Sequence, residues 1–353
     1  MPFLNKERKF MVGSIRRERQ GLRFAGSLWL LFVTLIILLI VVACMTVAFR
    51  VSGLAWRPLF FPSSDSADIL LSFTVWHVRV PRLLLAITLG AALAVAGCLL
   101  QAMTRNPLSD PEIMGLNQGA SCFAVIALLL FESANSANVI LIAALCGAGM
   151  SGALIYWFSR YSGSDHSRLV LAGVAISAFM GALTTGIILL YETQLTEILY
   201  WMAGKLSGAE WRDSHLVWLL DIPAVAAAYV LANTLNVLAQ GEEIASGLGV
   251  RVRRIRGIIG LLVILLTGSA VAVAGPIGFV GLIVPHMARR MAGNNYRVLI
   301  PVSILLGALL LSSADFVAQW LFYPSDIPVG IITAILGVPF FLYLLRSKRR
   351  VVK

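Results

Sequence analysis

The sequence predicts an all-helical integral membrane protein with about ten transmembrane helices. Three observations point there. Of 353 residues, 59% are hydrophobic and 13% charged, against about 25% charged in a soluble domain. Mean hydropathy is +0.88. The apolar residues form long, mostly unbroken runs rather than ten-residue alternations. A chain in lipid must satisfy its backbone internally, and runs of this kind do so as helices, not as a barrel.

A basic tail, residues 1–27 with Lys6, Arg8, Lys9, Arg16, Arg17 and Arg19, precedes the first run, 28–49. That run exceeds the ~7–15 apolar residues of a signal peptide, and further spans follow, so it reads as a retained helix. The second run, 82–103, carries Ala91, Ala92, Ala94, Ala96 and Gly97, small residues that let membrane helices approach closely. The third, 116–131, falls short of the ~20 residues of a full crossing. Runs 137–158 and 168–191 are long enough, and 214–239 contains Asp221. Runs 257–274 and the short 276–291 share Gly268, Gly275, Gly278 and Gly281. The last two are 298–321, with Asp315, and 328–345, which leads into a basic tail, 346–353. No long polar stretch intervenes, so residues 28–345 read as one membrane domain with a polar loop at 240–256.

The net charge of +11 raises the question of nucleic acid, but its distribution answers it. With the N-terminus in the cytoplasm, 22 of the 28 Lys and Arg residues fall on inside segments. The exceptions are Arg50, Arg57, Arg79, Arg82, Lys205 and Arg212. This is the positive-inside bias, so the basicity orients the chain in the membrane and meets anionic lipid. No nucleic-acid partner is expected. Both termini and the 240–256 loop are expected in the cytoplasm.

Little else suggests chemistry. His77, His166, His215 and His286 are scattered, and Cys44, Cys98, Cys122 and Cys146 lie in apolar runs without a C-x-x-C pair. Neither a metal site nor a disulfide framework is expected. Gly204-Lys205 is followed by Leu206, so the chain has no phosphate-binding P-loop and is not itself an ATPase. Without a visible catalytic constellation it does not read as an enzyme, though a membrane enzyme stays open. A secondary transporter also stays open; Asp221 and Asp315 are few intramembrane carboxylates for that class.

Three segments go beyond composition. They are RVPRLLLAITLGAALAVAGCLLQAMTRNPLSDPEIMGLNQGA from Arg79, the island GEEIASGLGV from Gly241, and GPIGFVGLIVPHMARRMAGNNYRVLIPVSILLGALLLSSAD from Gly275, continued by PSDIPVGIITAILGVPFFLYLL. Together they resemble the FecCD family, permease subunits of bacterial ATP-driven importers for ferric siderophores, haem and cobalamin. The likeness runs from Val75 to Leu345. It implies a ten-helix subunit in the bacterial cytoplasmic membrane, paired with a second permease subunit, identical or similar. It also implies two cytoplasmic ATPase subunits, which use ATP and Mg, and an extracytoplasmic substrate-binding protein. The permease itself would bind no cofactor.

The resemblance also assigns roles to residues. Gly241, Glu242, Ala245, Leu248 and Gly249 match a short helical segment that couples to the ATPase, with Leu248 as apolar anchor, Glu242 as cap or ionic contact, and Gly247 and Gly249 easing close approach and exit. The following Arg251, Arg253, Arg254 and Arg256 hold the loop inside. Arg79 and Arg82 match arginines that pair with carboxylates of the binding protein, a role the bidentate guanidinium suits. Relatives often carry a third arginine where this chain has Gln319, and His where it has Tyr296. Asn106 and Leu108 match a narrowing of the path, and Asp165 with His166 a second one. The expected function is the permease of a ferric-siderophore importer. Haem or cobalamin cargo is the alternative within the family, and a secondary transporter the alternative outside it.

Overall fold

The computed structural model describes residues 3–49, 66–130, 137–161, 166–191, 195–321, 323 and 325–348. A helix occupies most of the described part of each of the ten expected runs, the run 276–291 becoming helical only at Val280, and the described residues contain no strand. Helix α1 is Phe3–Ala48, α2 is Ser66–Phe73, and a π-helical stretch, Thr74–Arg79, joins it to α3, Val80–Thr104. Then come α4 (Leu116–Leu130), α5 (Ala137–Tyr161), α6 (His166–Leu190) and the short α7 (Leu195–Met202). Helices α8 (Trp211–Val230) and α9 (Ala232–Leu238) precede the island helix α10 (Glu242–Gly247). The remainder are α11 (Val252–Ala274), α12 (Val280–Ala292), α13 (Tyr296–Leu321) and α14 (Val329–Lys348).

Six helices among the described residues are long and apolar enough to cross a membrane, or seven if the bent pair α8–α9 counts as one span. The count of ten is therefore not reached by length and composition. The shortfall lies where the runs were short, in α4 with 15 residues and α12 with 13, and in α14, whose apolar part is Val329–Leu344. The sixth run is also less regular than expected, since it breaks at Leu231 with a bend of 56°.

The second span begins earlier than its apolar run suggests. Pro81 has no N–H to offer the carbonyl of His77 four residues back. The chain answers with a wider turn, in which the Val80 N–H reaches the Val75 carbonyl. The helical path continues through it, so one span reaches from Ile69 to Thr104.

Helix α3 is the centre of the bundle, packed against α13, α11, α12 and α8. Its small residues are what bring the neighbours close. A Cβ on Gly90 would run into the Gly307 carbonyl of α13, and one on Gly97 into the Gly281 backbone of α12. Gly119 and Gly147 stand in the same relation between α4 and α5. Such contacts replace the hydrophobic drive that helices in lipid lack. Leu85, Leu89, Leu99, Leu266, Leu299 and Leu311 fill the space between, all fully buried. Polar groups cross the same seams: Cys98 Sγ lies 3.2 Å from Ser303 Oγ, and Gln101 Nε2 donates to the Gly281 carbonyl at 3.1 Å while Arg289 donates to its Oε1.

Candidate functional site

The island of 240–256 forms a helix because its first turn is acidic and its exit is glycine. Glu242 and Glu243 sit at the N-terminus of α10, where the helix dipole favours negative charge. Gly241 enters with φ +132°, and Gly249 leaves with φ +83°, a conformation L side chains rarely adopt. Gly247 meets neither condition: nothing lies near its Cβ position and its φ is ordinary. Ala245 is buried beneath the helix, whereas Ile244 and Leu248 are 49% and 66% exposed. Four residues apart, those two share one face. An exposed apolar pair on a polar loop is suited to docking.

Glu242 is the hub of a small ionic group. Its Oε1 accepts from Arg105 Nη2 at 3.3 Å and from Arg256 Nη2. Arg105 ends α3 in the left-handed region, φ +50°, and opens the turn that contains Asn106 and Leu108. The island is thus tied to that turn. Within the turn, Asn106 Oδ1 accepts the Leu108 N–H at 3.0 Å and the Asn106 carbonyl accepts from Ser109 at 3.1 Å. Those bonds give Asn106 a turn-forming task. Asp165 lies outside the described residues, and His166 is the first residue of α6.

Sequence reasoning missed the other end of this turn. Asp110 and Glu112, either side of Pro111 and outside the spanning helices, lie against the start of α12, where the backbone of Phe279 favours their anionic forms. Gly278 and Gly281 make room, since a Cβ on either would strike one of these carboxylates. The sequence signal was present, two acids in a short turn between apolar runs, but only the fold supplies the helix N-terminus they face. Beside them opens a cavity of about 460 Å³, lined also by Gln118, Ser177 and Phe341.

Burial, aided by the neighbouring Glu112, pushes the Asp110 carboxyl well above its ordinary range, against the N–H groups of Phe279 and Glu112 that favour the anion. Burial raises Glu112 as well, opposed by the Phe279 N–H. A raised acid stabilises the fold fully below its unfolded pKa, and that contribution is lost as pH rises through the folded value. The detergent-solubilised protein should therefore melt at lower temperature as pH climbs above the usual carboxylate range. Asp110→Asn should flatten that slope; an unchanged slope would mean these acids do not govern it.

At the opposite end of α3, both arginines are already engaged. Arg79 Nη1 donates to the Val47 carbonyl, near the C-terminus of α1, at 2.7 Å. Arg82 is 7% exposed. Its Nε and Nη2 grip Asp315 of α13 at 2.9–3.0 Å, and its Nη1 reaches Asp326 at 3.1 Å. Gln319, one turn beyond Asp315, donates Nε2 to the second Asp315 oxygen at 2.7 Å. The expected arginine is thus replaced by a neutral donor that completes an internal ion pair. Asp221 is buried between α8 and α11, where Ser269 donates to it at 2.6 Å. Tyr296 is buried at the start of α13, its N–H held by Asn236 at 2.8 Å.

Comparison with known proteins places these features in context. The FecCD transport family matches residues 12–347. The Fe(3+)-citrate import system permease protein YfmD of Bacillus subtilis is 44% identical over 272 residues, 77% of this chain and 81% of its own length. The Fe(3+) dicitrate transport system permease protein FecC of Escherichia coli is 40% identical, covering 78% and 83%. The vitamin B12 import system permease protein BtuC of Vibrio cholerae is 39% identical, covering 77% and 82%. Among solved structures, an inward-facing metal-chelate type ABC transporter superimposes with a TM-score of 0.78 at 29% identity, over 90% of this chain and 99% of that one.

Proposed function

Since the chain belongs to the FecCD transport family, we propose that it is the membrane-spanning permease of an ATP-driven importer, moving a ferric siderophore inward by alternating access. The observation that supports this best is the island: a short helix that displays Ile244 and Leu248 to solvent while Glu242 ties it to the turn at Asn106. An ATPase seated on that face would pull on the turn directly. The surfaces of α6 and α14, with Leu171, Phe179, Ile335 and Leu342 exposed, suit lipid and a second permease subunit. Arg79 and Arg82 belong to the face that would receive the binding protein. Asn106 and Leu108, with Asp165 and His166, remain our assignment for the narrowings of the path.

Iron-chelate cargo is favoured by the relatives that carry ferric citrate, at 44% and 40% identity. Cobalamin is the second reading, favoured by the 39% identical vitamin B12 permease. Uptake into proteoliposomes holding the permease with its genomically adjacent ATPase and binding protein tests both. Ferric-siderophore uptake that requires ATP and both partners is expected. Cobalamin uptake instead would establish the second reading, and uptake without ATPase would refute the importer altogether.

A further inference from the structure

Arg82 holds two carboxylates where its charge needs one. Asp315, 1% exposed, takes two nitrogens of the guanidinium and a third donor from Gln319, which already neutralises and satisfies the buried pair. Asp326 adds a second negative charge through Nη1. Its side chain is 44% exposed, against 9% for that of Arg82. The backbone around Asp326 is located by other bonds: Tyr200 Oη donates to the Asp326 carbonyl at 2.5 Å, and the nearby Gly330 N–H donates to Gly204 at 3.1 Å. The carboxylate can therefore swing into solvent without unmaking the loop.

We propose that Asp326 is an intramolecular competitor for docking, occupying the Nη1 corner of Arg82 until an acidic group of the incoming binding protein takes its place. This rests on the reading above in which Arg82 faces that protein. Docking then exchanges one half-exposed carboxylate for another around a cation that stays neutralised by Asp315. Because the newcomer must first displace Asp326 from Nη1, its affinity is held down, and the return of Asp326 to that corner eases release of a partner that must leave after delivery.

The test is a titration of the permease–ATPase complex in lipid nanodiscs with the binding protein encoded in the same gene cluster. Asp326→Asn should tighten binding by about threefold, the scale of a partly exposed ion pair. Asp326→Glu keeps the charge and should bind as the wild type does. The gain from Asp326→Asn should vanish when Arg82→Gln and Asp315→Asn are both present, because the cation being competed for is gone. Unchanged or weaker binding by Asp326→Asn would overturn the proposal. So would a gain in Asp326→Glu, or one that survives in the neutral background, which would reveal plain repulsion between Asp326 and the partner. A wild-type complex that binds no such protein would remove the docking reading, and the competitor with it; wild-type binding without the gain removes the competitor alone.

Discussion

Arg82→Ala is expected to cost about 3–5 kcal/mol of stability, because it leaves the Asp315 carboxylate buried without its counter-charge. The loss follows from the removal of one partner, not from any large net worth of the pair. Exchanging both partners for neutral residues should therefore recover most of it. Arg82→Gln with Asp315→Asn keeps approximate shapes and a hydrogen bond while removing both charges. Thermal unfolding of the purified protein in detergent should rank wild type and double variant together, with Arg82→Ala far below. Equal stability of Arg82→Ala and wild type would show that water or another group reaches Asp315. Arg79→Ala should be mild, about 1 kcal/mol, since it surrenders one bond to a helix-end carbonyl. A charge reversal at both arginines would accordingly confound docking with folding, and the Asp326 substitution is the cleaner probe of that face.

Leu248→Asp is expected to leave the permease folded and strip it of its ATPase. Leu248 is 66% exposed, so the change should alter stability by no more than about 0.5 kcal/mol. If the side chain anchors a docked ATPase, losing it and burying a carboxylate in its place should cost about 2 kcal/mol or more. That is roughly thirtyfold in affinity. Co-purification of tagged permease with ATPase subunits should fall to background, and uptake with it. Retention of both would mean the ATPase does not use the face formed by Ile244 and Leu248.

The apolar runs were legible in the sequence because their causes are local. A bilayer demands some ~20 apolar residues per crossing, and a run such as 28–49 or 298–321 states this without reference to any other part of the chain. The short helix of the island was expected only through the FecCD resemblance, since a polar stretch between apolar runs reads locally as a loop; its first-turn acids and its glycines at 241 and 249 fit the helix that forms. Where local signals conflicted, the reading was coarser. The run 82–103 stops short of Pro81, yet the helix continues behind that proline through a π turn. The break at Leu231, with neither proline nor glycine at that position, left no mark to read.

By itself, the sequence determined that this chain is helical, membrane-embedded and of the FecCD pattern, down to the residues that form the island and its turn. Only the tertiary structure decided which charges those residues meet. Arg82 finds Asp315 across 233 positions, Arg105 finds Glu242 across 137, and Asp110 and Glu112 meet the backbone of Phe279 on a helix far along the chain. Periodicity and composition describe how each segment treats lipid and water, and they are silent on which segments become neighbours. In a low-dielectric bundle the neighbour sets the role, because a buried guanidinium must be neutralised where it lies. An arginine that could have reached outward is for that reason held inside, with Gln319 completing the pair and Asp326 at its one open corner.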